Sequence, residues 1–102
     1  MSRTYQTFIE GEERALELTV RDQDDAAYTP SLVYATVYNS TGTVIQAETL
    51  CDIDVNKVYF TVTDTVTATP GTYEVKWRLM SDIDEVNEYK YYHKTILTVE
   101  EL

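Results

Sequence analysis

Between Thr69 and Leu79 apolar and polar residues alternate without a break. After the breaker pair Pro70-Gly71, Tyr73, Val75, Trp77 and Leu79 take every second position, and Thr72, Glu74, Lys76 and Arg78 fill the gaps. Successive side chains of a strand point to opposite faces, so the segment predicts a half-buried strand with one apolar and one charged face. The same period recurs at residues 14–21, where Leu16, Leu18 and Val20 share a face. It recurs at 31–39, with Val33, Ala35 and Val37 inward and Tyr34, Thr36 and Tyr38 outward. At 57–63 Val58, Phe60 and Val62 point inward. Ala, Leu and Glu at 14–21 also suit a helix, but the period of two outweighs propensity there.

Weaker segments complete the pattern. Residues 4–10 alternate loosely around Tyr5, Phe8 and Ile9, ahead of a turn at Gly11-Glu12-Glu13. Asn39-Ser40-Thr41-Gly42 predicts a turn, with Gly42 available for positive φ, hairpinning 31–39 to a short strand at 43–50. Residues 22–30 and 81–87 read as polar and acidic loops, and 51–56 as a loop or ragged edge. Residues 64–69 have room for one helical turn capped by Asp64, and 88–99 form a long last strand with Leu97 and Val99 inward. About seven short antiparallel strands with almost no helix predict an all-β fold. Three glycines are few for the corners of a tightly curved barrel, so a two-layer sandwich is expected.

Length and composition narrow the class. A chain of 102 residues predicts a single domain, residues 1–102, and 43% apolar content is enough for one folded core. No apolar run approaches the ~18 residues of a membrane span, and the N-terminus lacks the apolar stretch of a signal peptide. The expectation is therefore a chain made in the cytoplasm that does not engage a membrane. The net charge of −10 speaks against phosphate neutralisation and hence against nucleic acid. It fits solubility and mutual repulsion, a basic partner, or imitation of DNA charge.

Candidate chemistry is sparse. One cysteine, Cys51, permits no intrachain disulfide, and one cysteine with one histidine cannot make a structural zinc site. No basic neighbour in sequence would activate Cys51, which reads as a small, partly buried hydrophobe. His93 reads as a strand histidine on a semi-exposed face; a general acid–base role has no partner that a motif would supply. Asp22, Asp24 and Asp25 in one loop and Asp82, Asp84 and Glu85 in another are either solvated loops or a calcium site, though without EF-hand spacing. Asn39-Ser40-Thr41 matches the glycosylation pattern but is explained as turn chemistry. No catalytic, cofactor-binding or metal-binding residue is expected, and no enzyme. Nine tyrosines exceed what one core needs. Tyr34, Tyr38, Tyr59, Tyr89, Tyr91 and Tyr92 are the candidate partner interface, because tyrosine buries large area and keeps a polar handle. Cross-strand pairing on a solvated face is the competing explanation.

Two resemblances follow. Pro70-Gly71-Thr72-Tyr73 resembles the tyrosine corner of immunoglobulin-like sandwiches, in which a Tyr opens the penultimate strand two residues after a small one. Gly71 and Tyr73 occupy those positions, and Val75 stands where antibody domains carry a Cys. The resemblance implies a Tyr73 hydroxyl bonded to the backbone upstream, pinning the crossover between sheets. Phe8-Ile9-Glu10-Gly11-Glu12, then Thr41-Gly42, then Pro70-Gly71-Thr72-Tyr73 to Trp77, then the tyrosines from Tyr89 to Tyr92, together resemble small immunoglobulin-like virion proteins of bacteriophages. That resemblance implies a non-enzymatic structural protein of the particle: capsid decoration, neck, or tail and baseplate accessory. It would bind other virion proteins in multiple copies, without nucleic acid or membrane, and would be made in the host cytoplasm. The alternatives are an adhesin for a host surface or glycan, and an acidic inhibitor of a host protein.

Overall fold

The structure is a computed structural model that describes the backbone of residues 2–21, 30, 32–81 and 88–102, with side chains at 3–21, 30, 32–79 and 93–102. Its strands are β1 (Ser2–Ile9), β2 (Arg14–Thr19), β3 (Leu32–Asn39), β4 (Val44–Leu50), β5 (Asp52–Asp54), β6 (Lys57–Val62), β7 (Gly71–Ser81) and β8 (Glu88–Glu100), with one helical turn, α1 (Asp64–Thr67), before β7. They form a five-stranded sheet in the order β1-β8-β7-β3-β4 and a three-stranded sheet in the order β2-β6-β5. The chain is an all-β sandwich.

The predicted inward faces meet between the layers. Leu16, Leu18, Val20, Val58, Phe60 and Val62 come from the smaller sheet, and Val33, Ala35, Val37, Tyr73, Val75, Trp77, Leu97 and Val99 from the larger. Trp77 is 1% exposed, and Phe60 meets it edge-on at 5.9 Å between ring centres, a favoured aromatic geometry. Leu79, near the end of β7, is only partly buried against this cluster.

Several expectations need correcting. The strands are not all antiparallel, because β1 runs parallel to β8. The chain leaves β1 through a turn that delivers β2 to the other sheet, so β1 has no sequence neighbour to pair with and forms the edge of the large sheet beside β8 instead. Gly11 (φ +84) makes that turn, and Thr67 latches it. The Thr67 carbonyl accepts from Gly11 N–H at 2.9 Å, and its hydroxyl donates to the Glu12 carbonyl at 2.7 Å. Of the three apolar anchors in β1, only Phe8 is buried. Tyr5 and Ile9 are 69% and 50% exposed, since a period of two places them opposite Phe8. Residues 52–54 are a short eighth strand rather than a loop, paired to β6. Thr63, not Asp64, occupies the N-cap of α1, and it makes no side-chain cap bond.

His93 is buried, at 4% exposure, not semi-exposed. It lies opposite Trp77, and Thr95 lies opposite Val75, so the polar half of β8 continues the inward face of Leu97 and Val99. Past this pair the register slips. Trp77 faces His93 but Arg78 faces Tyr91, so Tyr92 is the extra backbone residue of a bulge.

Candidate interaction surface

The register of the large sheet fixes what its outer face carries. One cross-strand row runs Tyr5, Ile96, Glu74, Tyr38, Val44 over all five strands. The adjacent row is Arg3, Lys94, Lys76, Thr36. A third contains Arg78, Tyr34 and Leu50. Tyr5, Ile9, Val44 and Leu50 are at least half exposed and all belong to this face. Residues directly opposite one another touch through their side chains, so the face is a continuous mixture of aromatic, aliphatic and cationic groups.

Its local contacts order it. Glu74 bonds Lys94 at 3.3 Å, and Glu48 bonds Arg78 Nη2 at 2.5 Å. The Lys76 ammonium lies 4.8 Å from the centre of the Tyr38 ring, and the Arg78 guanidinium 5.9 Å from that of Tyr34, within cation–π range. Thr36 is buried to 8% beneath these longer side chains although it points outward. A shallow hollow of about 470 Å³ lies beside the first row, between the 39–42 turn and Thr72, Glu74 and Ile96.

The candidate tyrosines do not gather on one face. Tyr34 and Tyr38 share the outer face of the large sheet. Tyr59 belongs to the opposite outer face, on β6, where its hydroxyl donates to Glu17 Oε1 at 3.2 Å. Desolvation, and next that bond to a carboxylate, raise the Tyr59 pKa above the ordinary tyrosine value. Tyr89, Tyr91 and Tyr92 lie in β8, but their side chains fall outside the described residues. The cations Arg3, Lys76, Arg78 and Lys94 were not singled out by sequence reasoning. The signal available was the polar half of the alternation in β7, where Lys76 and Arg78 fall two residues apart.

Gly71 and Tyr73 lie at the start of β7. Gly71 takes φ +151, and the Tyr73 hydroxyl donates to the Thr69 carbonyl at 2.6 Å. That bond ties the start of β7 to the segment leaving α1.

A chain of polar contacts runs from the buried face of β8 to the exposed Thr4 on β1. Trp77 Nε1–H donates to Thr95 Oγ1 at 2.9 Å, Thr95 Oγ1 lies 3.0 Å from Thr4 Oγ1, and Thr4 Oγ1 lies 2.9 Å from His93 Nε2. Burial holds the His93 imidazole below the usual histidine pKa, so it is neutral at pH 7 and can accept from the Thr4 hydroxyl. The chain Trp77 to Thr95 to Thr4 to His93 then satisfies each hydroxyl as donor and acceptor. Its work is to keep buried polar atoms paired.

Cys51 is 6% exposed, and its thiol is pushed up to about 12, first by burial and then by the Asp52 carboxylate. It is therefore protonated and unreactive at neutral pH. The six acidic residues considered for calcium, Asp22, Asp24, Asp25, Asp82, Asp84 and Glu85, lie outside the described residues. Among the described residues no group of three or more His, Cys, Asp or Glu is placed to hold a metal ion, and no helix is long and apolar enough to cross a membrane. The chain matches no protein-family model, and no curated protein is significantly similar to it in sequence.

Proposed function

We propose that the chain is an immunoglobulin-like, non-enzymatic structural component of a bacteriophage particle, a capsid-decoration, neck or tail and baseplate accessory protein. It is made in the host cytoplasm and is bound in multiple copies to other virion proteins. The strand distribution supports the immunoglobulin-like part. The order β2-β6-β5 against β8-β7-β3-β4 corresponds to strands B, E and D against G, F, C and C′. In that correspondence Tyr73 opens strand F, where its bond to Thr69 belongs.

The observation that carries the functional reading is the outer face of the large sheet. Soluble monomers rarely expose continuous apolar area, and interfaces are enriched in tyrosine and arginine. Here Tyr5, Ile9, Val44 and Leu50 stand exposed beside Tyr34, Tyr38 and Arg78. Such a face suits attachment to a larger assembly. The test is the protein content of particles purified from the phage that encodes the chain. A band in many copies per particle, identified by mass spectrometry, is expected. A protein confined to infected-cell lysate and missing from purified particles overturns the reading.

A further inference from the structure

The two outer faces of the sandwich carry opposite charge. On the large sheet, Arg3, Lys94 and Lys76 are direct cross-strand neighbours on β1, β8 and β7, and Arg78 lies one row away. Glu74 and Glu48 are the acids among them. Four cations against two carboxylates give +2 at the centre of this face, with Glu100 opposite Ile9 at its rim, on a chain whose net charge is −10. Like charges directly opposite weaken a sheet, a cost that the Lys94–Glu74 pair and the Lys76–Tyr38 contact offset only locally.

On the small sheet the outward rows are Asp52, Tyr59, Glu17 and Asp54, Lys57, Thr19. Three carboxylates against one amine give −2. Beside them the β5–β6 hairpin holds Val55 at its tip, 66% exposed and at φ +56. Hairpin tips with positive φ take Asn, Asp or Gly, and a β-branched residue there is strained. An apolar side chain is thus held out into water, in an unfavourable backbone conformation, next to carboxylates. The large sheet offers the complement: Tyr5, Ile96, Tyr38 and Val44, in a row interrupted by Glu74, which is paired to Lys94, lie directly alongside the cations, with the hollow against Ile96.

We infer that copies of this chain stack back to face, the acidic outer face of the small sheet of one copy seating on the basic, tyrosine-bearing outer face of the large sheet of the next. This rests on the proposed function only in taking the large sheet's outer face as an interface. A two-fold pairing of large sheets would set the Arg3, Lys94, Lys76 row against itself, so charge selects the heterologous arrangement. A heterologous contact leaves one face unused on each end copy, and it therefore repeats into a ring or a filament. The net charge opposes approach at long range, but in about 150 mM salt that repulsion is screened within about 8 Å, and the groups in contact decide the outcome.

Sedimentation of the purified chain from about 10 µM to about 1 mM tests the stacking. The wild type is expected to associate with concentration beyond the dimer. K76E/K94E, which reverses the basic face, and D52K/D54K, which reverses the acidic one, are each expected to stay monomeric. Their equimolar mixture is expected to associate again beyond the dimer, because the wild-type contact and its charge-reversed counterpart alternate along the stack. Arg3 is exposed, so R3E weakens association without a packing change and serves if a double variant loses its thermal unfolding transition. A wild type that is monomeric at about 1 mM, variants that associate like the wild type, or a mixture that stays monomeric overturns the stacking. If K76E/K94E is also lost from phage particles while the wild type is monomeric in solution, the face binds a different virion protein and the stacking is wrong. Presence or absence of the wild type in purified particles tests the proposed function separately.

Discussion

The indole Nε1–H of Trp77 donates to Thr95 Oγ1 at 2.9 Å across the β7–β8 pair, inside the sandwich. A buried indole N–H needs a partner, and β8 supplies one by carrying threonine where the inward alternation would otherwise take valine. Replacing Thr95 with Val keeps the shape and removes the acceptor. The cost is about 1–3 kcal/mol, the penalty for leaving the N–H unsatisfied. Urea unfolding followed by far-UV circular dichroism reads it in every variant, and the W77F/T95V pair should cost less than the sum of the single changes.

His93 makes stability depend on pH. Its folded pKa is lowered by burial, while the unfolded chain takes up the proton near the ordinary value of about 6.5. Between those two values the unfolded state binds more protons. The His93 contribution is therefore fully present above the ordinary value and is lost as pH falls through the window below it. The urea midpoint should drop between neutral and mildly acidic pH, and the H93Q variant should show a shallower drop over that window. An unchanged slope in H93Q would remove His93 from this role.

The Tyr73 hydroxyl is predicted to matter through a single bond. Y73F keeps the ring packed and frees the Thr69 carbonyl, which costs about 0.5–1.5 kcal/mol in chemical denaturation. Hydrogen exchange should rise first in 68–73, where the crossover from α1 to β7 is tied down.

Val55 is predicted to be a site where the native residue is not the stable one. Its φ of +56 costs a β-branched residue about 1–2 kcal/mol. Glycine removes that strain but gives back about 0.5–1 kcal/mol through the freedom of its unfolded chain. V55G should therefore raise stability by about 0.5–1 kcal/mol while weakening self-association, so that melting temperature and sedimentation move in opposite senses.

Cys51 should resist alkylation in the native state. With its thiol raised to about 12, iodoacetamide labelling at neutral pH should be slow when folded and fast in urea. Stability should also fall as pH climbs from the ordinary thiol range toward that value, because only the unfolded chain ionises there.

The inward faces of β2, β3, β6 and β7 were legible because each alternates apolar and polar residues cleanly. β1 was not, because Phe8 and Ile9 are neighbours and only one can face the core. His93 and Thr95 hid the inward face of β8, since polar residues that satisfy one another look like a solvated edge when each is read alone. Asp52–Asp54 was missed because a three-residue edge strand has no period to read. The charge on the two outer faces could not be seen in sequence either. Arg3, Lys94 and Lys76 are far apart along the chain and meet only through the parallel β1–β8 register, which no local pattern announces. Tyr59 and Tyr38 look equivalent in sequence but lie on opposite sides of the sandwich.

The account rests on the outer face of the five-stranded sheet being the working surface, and hydroxyl-radical footprinting of Tyr5 and Ile96 reads that face most directly. Oxidation of both residues should be rapid in the dilute chain, where Tyr5 is 69% exposed, and strongly suppressed in purified phage particles. Equal oxidation of the two residues in the free and particle-bound protein would contradict it.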